Sequence, residues 1–326
     1  MKISFILPVY NVEKYIERCL SSIFEQDVSE DDFEVVIVND CTLDNTMSII
    51  ENWRILHKNI RLVEHDKNKG LGAARNTGLK IAKYDYIWFI DTDDYIEKNC
   101  LKEIIVLLKA YTPEVLSFNF FKQDKYYTYY RDNLNPPNNI DLMLGSSYLE
   151  MYFQPATMSS CSKIFELSYW RKNNFEFSEG VFWEDADLVI KSIYYARRFS
   201  YITNHLYYYC YNHNSISRGN SGKKIADMLR MSKRKYDFSR QIDNQKVSNL
   251  ISQDAIWNTK AVKKILYINN KERNIYYNEL KTIDLSILKC QIKNVINRTL
   301  LSDSNLIKCI LYVISPVLIN LKSVKR

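Results

Sequence analysis

No C-x-x-C pair occurs among the seven cysteines of this 326-residue sequence, and their number is odd. Both facts argue against a disulfide framework and against a structural zinc site, and they leave reduced thiols as the simple reading. No apolar run reaches the length of a membrane-spanning helix. The longest approach, from Leu306 to Leu321, is slightly short and is interrupted by Lys308 and Pro316. The start, Met1-Lys2-Ile3-Ser4-Phe5-Ile6-Leu7-Pro8, imitates a leader peptide only loosely. Its apolar run is short, ends in Pro8, and is followed at once by Asn11 and Glu13, so it reads as a strand and the chain is expected in the cytoplasm. Glycine is scarce, with seven residues, and none stands in the first strand-to-helix turn, Pro8-Val9-Tyr10-Asn11. A dinucleotide-binding turn needs glycine there, which counts against a nicotinamide cofactor.

What the sequence does hold is aromatic and unevenly charged. Tyr (25) and Phe (14) far outnumber Gly (7) and Pro (6), a balance that favours strands and adhesive surfaces. Residues 1–217 carry 23 Lys/Arg against 30 Asp/Glu, and residues 218–326 carry 22 against 8. The split, −7 and then +14, predicts two regions with different partners. In the first, apolar runs and helical periodicities alternate. Strands are expected at 2–7, 33–38, 60–64, 85–90 and 114–121, and helices at 46–56, 71–82 and 98–110, with a further helical spacing at Val12, Ile16, Leu20, Ile23 and Phe24. The run Phe33–Val38 suits a strand buried on both faces. This alternation implies an α/β fold, a mostly parallel sheet flanked by helices, with ligands at the carboxyl ends of the strands. The pattern becomes irregular from 122 to 180. A strand is expected at Tyr126–Tyr130, a helix at 184–197 and an aromatic strand at Ser200–Tyr211, and the chain then turns helical and basic.

Four stretches carry chemistry. Asp91-Thr92-Asp93-Asp94 crowds three carboxylates behind an apolar strand. Like charges this close need a cation or donor groups to coexist, and a hard divalent ion fits carboxylate oxygen, although an acidic helix start would read the same way. Asn39-Asp40 ends another buried strand, where Asp40 is placed either to accept from a base or ribose or to close an Asx turn. Asn68-Lys69-Gly70-Leu71-Gly72-Ala73-Ala74-Arg75-Asn76 opens a helix with glycines for tight turns and with a planar donor, Arg75, suited to phosphate. Phe182-Trp183-Glu184-Asp185 supplies carboxylates able to deprotonate a hydroxyl, or simply starts a helix.

Taken together and in this order, Pro8-Val9-Tyr10-Asn11, the Asn39-Asp40 turn, Gly70 to Asn76, Asp91-Thr92-Asp93-Asp94 and Glu184-Asp185 resemble the bacterial family 2 glycosyltransferases, over roughly residues 3–218. The resemblance implies the GT-A fold and inverting transfer of a sugar from a nucleotide-sugar donor, a UDP-sugar, to an acceptor hydroxyl in cell-surface polysaccharide synthesis. It implies a domain at 1–217; the helical basic region at 218–326 lies outside the resemblance and is read from the charge and periodicity of the sequence. By the same resemblance Pro8, Tyr10, Asn11, Asp40, Asn68, Arg75, Asp91 and Thr92 would contact the nucleotide-sugar. Asp93, with Asp91, would hold manganese or magnesium, Asp185 would be the general base, and Glu184 would stand beside it. Asn39 replaces a more usual aspartate, which bears on the nucleotide contacts. His213 or Arg218 would approach the diphosphate.

In the basic region Lys223-Lys224, Lys233-Arg234-Lys235 and the apolar stretch ending in Lys322, Lys325 and Arg326 combine features of a helix lying on an anionic membrane. The expected partners are therefore a donor, a glycan or lipid-linked acceptor and the inner membrane surface, with peripheral attachment. Two rival readings are a non-catalytic nucleotide-sugar binder on the same fold and a nucleic-acid binder that uses the basic region. The second lacks a recognition motif, and no nucleic acid is expected.

Overall fold

A computed structural model of the chain describes residues 1–123, 128–130, 136, 138–155, 158–212 and 222–257. The chain divides into two compact units, Met1–Ser215 and Ile216–Arg326.

The first unit is built on one twisted sheet. Its first four long strands are β1 (Ile3–Val9), β2 (Phe33–Asn39), β3 (Ile60–Glu64) and β4 (Tyr86–Phe89). They lie in the order β3-β2-β1-β4 with every pair parallel. All seven residues of β1 and of β2 are buried, because helices cover both faces of a parallel sheet and leave no wet side. The connecting helices are α1 (Ile16–Phe24), α2 (Thr46–Leu56) and α3 (Leu71–Ile81).

Beyond β4 the sheet becomes mixed. The chain adds β5 (Tyr95–Ile96), α4 (Cys100–Tyr111), β6 (Val115–Gln123), β7 (Thr128–Tyr130), β8 (Ile140–Met143) and α5 (Gly145–Tyr152). It continues with β9 (Lys163–Glu166), α6 (Leu167–Lys172), α7 (Leu188–Tyr195) and β10 (Phe199–Tyr209). The short β9 lies antiparallel between β4 and β6, and β10 runs parallel to β6. The parallel character read from the alternation thus holds over β3-β2-β1-β4 and again over β6-β10, with an antiparallel strand as the seam. Trp88 stands at that seam. It is fully buried, its ring packs against Phe5 and Phe118 at 5.5 and 5.2 Å, and its indole N–H donates to Cys161 O at 2.9 Å. The buried indole therefore has its one donor satisfied, as burial requires.

Two expectations about elements shift. The helix expected at 184–197 begins at Leu188, so Glu184 and Asp185 lie in the turns before it. Trp183, just before the pair, has φ +56, a left-handed backbone that a bulky side chain rarely adopts. The strand expected at 126–130 is described as Thr128–Tyr130, paired with β6.

The second unit contributes α8 (Gly222–Ser239) and α9 (Gln245–Trp257), which pack on each other. The basic clusters fall on α8, where several charges meet acids. Lys223 and Arg230 both reach the buried Asp227, Lys233 pairs with Asp237, and Lys235 with Asp254. His213, Arg218 and the Leu306–Leu321 stretch lie outside the described residues. Among the described residues, no helix is long and apolar enough to cross a membrane.

Candidate active site

The carboxyl ends of β1, β2, β3 and β4 meet at one edge of the sheet, and the loops leaving them are tied together by short polar side chains. Asn11 adopts φ +52, a conformation asparagine tolerates better than most residues. Its amide N–H donates to Thr42 Oγ1 at 2.7 Å, and its Oδ1 accepts from Leu43 N at 2.8 Å. Thr92 Oγ1 donates to Pro8 O at 3.0 Å, which pins the acidic turn to the end of β1. Tyr10 and Asn68 are exposed at this edge. Pro8, Asn11 and Thr92 thus shape the edge through contacts with the chain itself, and Tyr10 and Asn68 are open to a ligand.

Asp40 is buried and organises the loop after β3. Its Oδ1 accepts from Lys69 N at 2.8 Å and meets His65 Nδ1 at 2.7 Å, and its Oδ2 accepts from Gly70 N at 2.8 Å. His65 Nε2 lies 2.9 Å from Thr77 Oγ1 on α3. Gly70, at φ +89, is what lets this loop turn into the helix. The direct reach to a base or ribose expected of Asp40 therefore meets a carboxylate largely engaged in holding residues 65–70. Asn39 is likewise engaged, donating to Glu64 and accepting from Thr42 N.

Arg75 forms the centre of the site. It is 2% exposed. One Nη donates to Glu184 Oε1, and the other lies 2.6 Å from Asp91 Oδ1. The guanidinium also stands over the Phe177 ring at 5.2 Å. Both terminal nitrogens of the arginine expected near the nucleotide face carboxylates of the protein. Burial works against the charge of Arg75, and the carboxylates of Asp91 and Glu184 more than offset it. On Glu184 burial is the larger influence and raises the carboxyl, with Arg75 pulling the other way. Gly72 makes the arrangement possible. A Cβ there would collide with the carbonyl oxygen of Ser178 and crowd Glu184 Cβ, so only glycine lets α3 approach so closely.

The acidic turn divides its three carboxylates among different tasks. Asp94 is 1% exposed and accepts from Tyr207 Oη at 2.6 Å and Cys210 N at 2.7 Å. Burial, then Asp93 and Asp91, hold its carboxyl well above the usual range. Asp94 is thus a tie to β10, and a register shift between Ile202 and Tyr207 lets that strand present the tyrosine. Asp93 Oδ2 accepts from Asn212 Nδ2 at 2.9 Å, and its backbone oxygen accepts from Arg18 at 2.8 Å. Burial raises the Asp93 carboxyl, and Asp91 raises it further. A cation would relieve that repulsion. Among the described residues no group of three or more His, Cys, Asp or Glu side chains is placed to hold a metal ion. Two hard carboxylates alone, Asp91 and Asp93, fit an ion of the magnesium or manganese kind, which takes its remaining ligands from phosphate and water.

Asp185 is half-buried. Its Oδ2 accepts from both Ser160 N (3.0 Å) and Ser160 Oγ (3.1 Å). The structure therefore gathers Asp91, Arg75, Glu184 and Asp185 around one buried guanidinium, with Asp93 and Asp94 on the same turn as Asp91. Sequence reasoning missed His65, Ser160, Lys163 and Tyr207, which support these groups. They are single polar residues in otherwise unremarkable stretches, and only their tertiary partners mark them.

Residues 4–165 match the family described as "Glycosyl transferase family 2". Over 117 residues the chain is 40% identical to the poly(ribitol-phosphate) beta-N-acetylglucosaminyltransferase TarS of Staphylococcus aureus, covering 36% of this chain and 20% of that protein. Over 121 residues it is 37% identical to the uncharacterized glycosyltransferase EpsJ of Bacillus subtilis, covering 37% and 34%. The matches thus span between a fifth and about a third of these relatives' length. The crystal structure of S. aureus TarS residues 1–349 in complex with UDP-GlcNAc superposes with a TM-score of 0.69 over 86% of this chain and 80% of that one, at 24% identity. That likeness establishes the GT-A fold. With the family's pattern running from β1 through the acidic turn to β9 on that fold, this chain belongs to glycosyl transferase family 2.

Proposed function

We propose that the protein is an inverting, metal-dependent glycosyltransferase that moves a sugar from a UDP-sugar to an acceptor hydroxyl during synthesis of a cell-surface polysaccharide. The observation that carries this reading is the Arg75 bridge, which holds the Asp91 turn and the Glu184-Asp185 turn side by side. One turn suits the diphosphate end of a donor and the other suits deprotonation of an attacking hydroxyl. The names of the relatives, transferases that act on poly(ribitol-phosphate), support the acceptor class. Tyr10 offers an exposed ring at the edge where a base would lie, and Asp40 acts there by fixing the Lys69-Gly70 turn.

In the reaction Asp185 takes the proton of the acceptor hydroxyl as its oxygen attacks the anomeric carbon from the face opposite the leaving nucleoside diphosphate. Direct displacement of this kind inverts the anomeric centre. Asp91 and Asp93 would hold magnesium or manganese, which when bound would offset charge on the departing diphosphate. Arg75 stands between the carboxylates of Glu184 and Asp91 and ties the two turns together in a dry setting. A panel of UDP-sugars and other nucleotide-sugars, read by release of the nucleoside diphosphate, identifies the donor. With that donor, Asp93→Asn is expected to lose both activity and its dependence on manganese or magnesium. Full parental turnover in excess chelator would refute the metal role.

The protein works at the cytoplasmic face of the membrane, where a lipid-linked acceptor would be presented. The +14 balance after residue 217 supports this placement, since each basic residue near an anionic surface is worth about 1 kcal/mol. Sedimentation with anionic vesicles should show binding that weakens with salt, and deletion of residues 303–326 should reduce it while sparing donor binding. Equal binding to neutral and anionic vesicles would remove the electrostatic basis of the idea.

A further inference from the structure

Asp185 does not stand alone, and the group behind it is unusual. Its Oδ2 takes two hydrogen bonds from one residue, Ser160, through the backbone N–H and the hydroxyl. Ser160 is fully buried and begins a short 3-10 turn, Ser160–Ser162, immediately before β9. The first residue of β9 is Lys163, which is 1% exposed. Its Nζ donates to Ser159 O and to Ser162 Oγ, both at 3.1 Å, and so brackets the turn from its two ends. Lysine is a costly residue to bury, and a buried ammonium is retained where its donors do something specific. Burial draws Lys163 down to about 7 while Asp185 acts to raise it, so the carboxylate and the ammonium sense each other across the turn.

We propose that Ser160 and Lys163 are positioning residues for the general base, with Lys163 clamping the 159–162 turn so that Ser160 fixes Oδ2 of Asp185 and leaves Oδ1 to receive the proton. The proposal rests on Asp185 being that base. Two donors on one oxygen set the orientation of the carboxylate plane, which decides whether a lone pair of the other oxygen faces the incoming hydroxyl. The other charged or titratable groups that bear on Asp185 among the described residues are Glu184 and Arg75 from the neighbouring turn and helix, and the buried thiol of Cys161.

The test uses the full chain with the donor selected by the nucleotide-sugar panel and reads kcat, KM, UDP affinity and the pH dependence of kcat. Ser160→Ala keeps the backbone N–H and removes only the hydroxyl. It should lower kcat by about 10-fold, the scale of one hydrogen bond to a charged group, and leave UDP affinity within about twofold. The acidic limb of the kcat profile should move up, because the hydroxyl no longer donates to the base carboxylate. Ser160→Thr, which retains a hydroxyl, should restore most of the rate. Lys163→Met should shift kcat and the limb in the same direction. Lys163→Gln, which keeps a donor to the turn, should retain more of the parental rate than Lys163→Met. An unchanged kcat and pH limb in Ser160→Ala would overturn the proposal. So would a fall in kcat matched by an equal loss of UDP affinity with no movement of the limb, which would mark a merely structural role. Asp185→Asn separates the two levels. Parental turnover in that variant refutes the base itself, whereas a strongly impaired Asp185→Asn beside a parental Ser160→Ala refutes only the positioning.

Discussion

Asp185→Asn is expected to lower turnover by about 100-fold or more, the common scale for a general base, and to leave UDP affinity within about twofold. The asymmetry follows from the hydrogen bonds. Asparagine retains an oxygen that can accept from Ser160 N and Oγ, so the turn keeps its shape. It cannot take up the proton of an attacking hydroxyl. Glu184 is poorly placed to substitute, since it is 5% exposed and engaged by Arg75. The donor side of the site rests on other loops, those of Tyr10, Asp40 and Asp91, whereas the hydrogen bonds to Asp185 come from Ser160. The comparison needs two measurements on one preparation, UDP binding by calorimetry and single-turnover transfer. A variant that transfers sugar at the parental rate would show that another residue is the base.

The second large effect is on stability. Arg75→Met should destabilise the first unit by about 3–5 kcal/mol, the range seen when one partner of a buried ion pair is removed and the other charge is left behind. Two carboxylates are left here, Asp91 and Glu184, of which Glu184 is the more deeply buried. For a unit of this size that corresponds to a fall in Tm of roughly 10 °C. Arg75→Lys should recover only part of the loss, because a single ammonium cannot span both carboxylates as the planar fork does.

The pH dependence has a definite sign. Burial already raises Glu184, and removing Arg75 removes the influence that lowers it. A carboxyl raised in the folded state binds more protons there than in the unfolded chain. Stability therefore falls as pH rises from about 4.3, the unfolded value, through the folded one. The deficit of Arg75→Met relative to the parent should accordingly be smaller at pH 5.5 than at pH 8, as measured by thermal melts at both. Equal Tm values for parent and variant at pH 8 would show that the bridge contributes nothing to folding.

Much of the scaffold was legible because burial writes itself into sequence. A strand covered on both faces must be largely apolar, and Phe33–Val38 is apolar at every position but Glu34, which is buried and accepts from Ser4 Oγ. The acidic turn was legible for the opposite reason, since three carboxylates in four residues are tolerated only with a compensating group. The helix at Leu188 was misjudged by four residues because the acidic pair looks like a helix start, and the turns that carry the pair ahead of Leu188 have no signature in composition.

By itself, then, the sequence determined the alternation of elements, the burial of β1 and β2, the loops that carry acids, and the resemblance to family 2. These are properties of local pattern, in which residues a few positions apart share one face or one turn. The tertiary structure alone decided which carboxylate does what. Asp94, in the same run as Asp91 and Asp93, is drawn into the protein by Tyr207, 113 positions away. Arg75, read as a phosphate ligand, is claimed by Glu184, 109 positions away. The antiparallel seam strand β9 and the serine that orients Asp185 arise from a stretch with no periodicity at all. A charged side chain in a low-dielectric interior is assigned by whichever partner the fold brings within hydrogen-bond reach, and no short-range pattern carries that information.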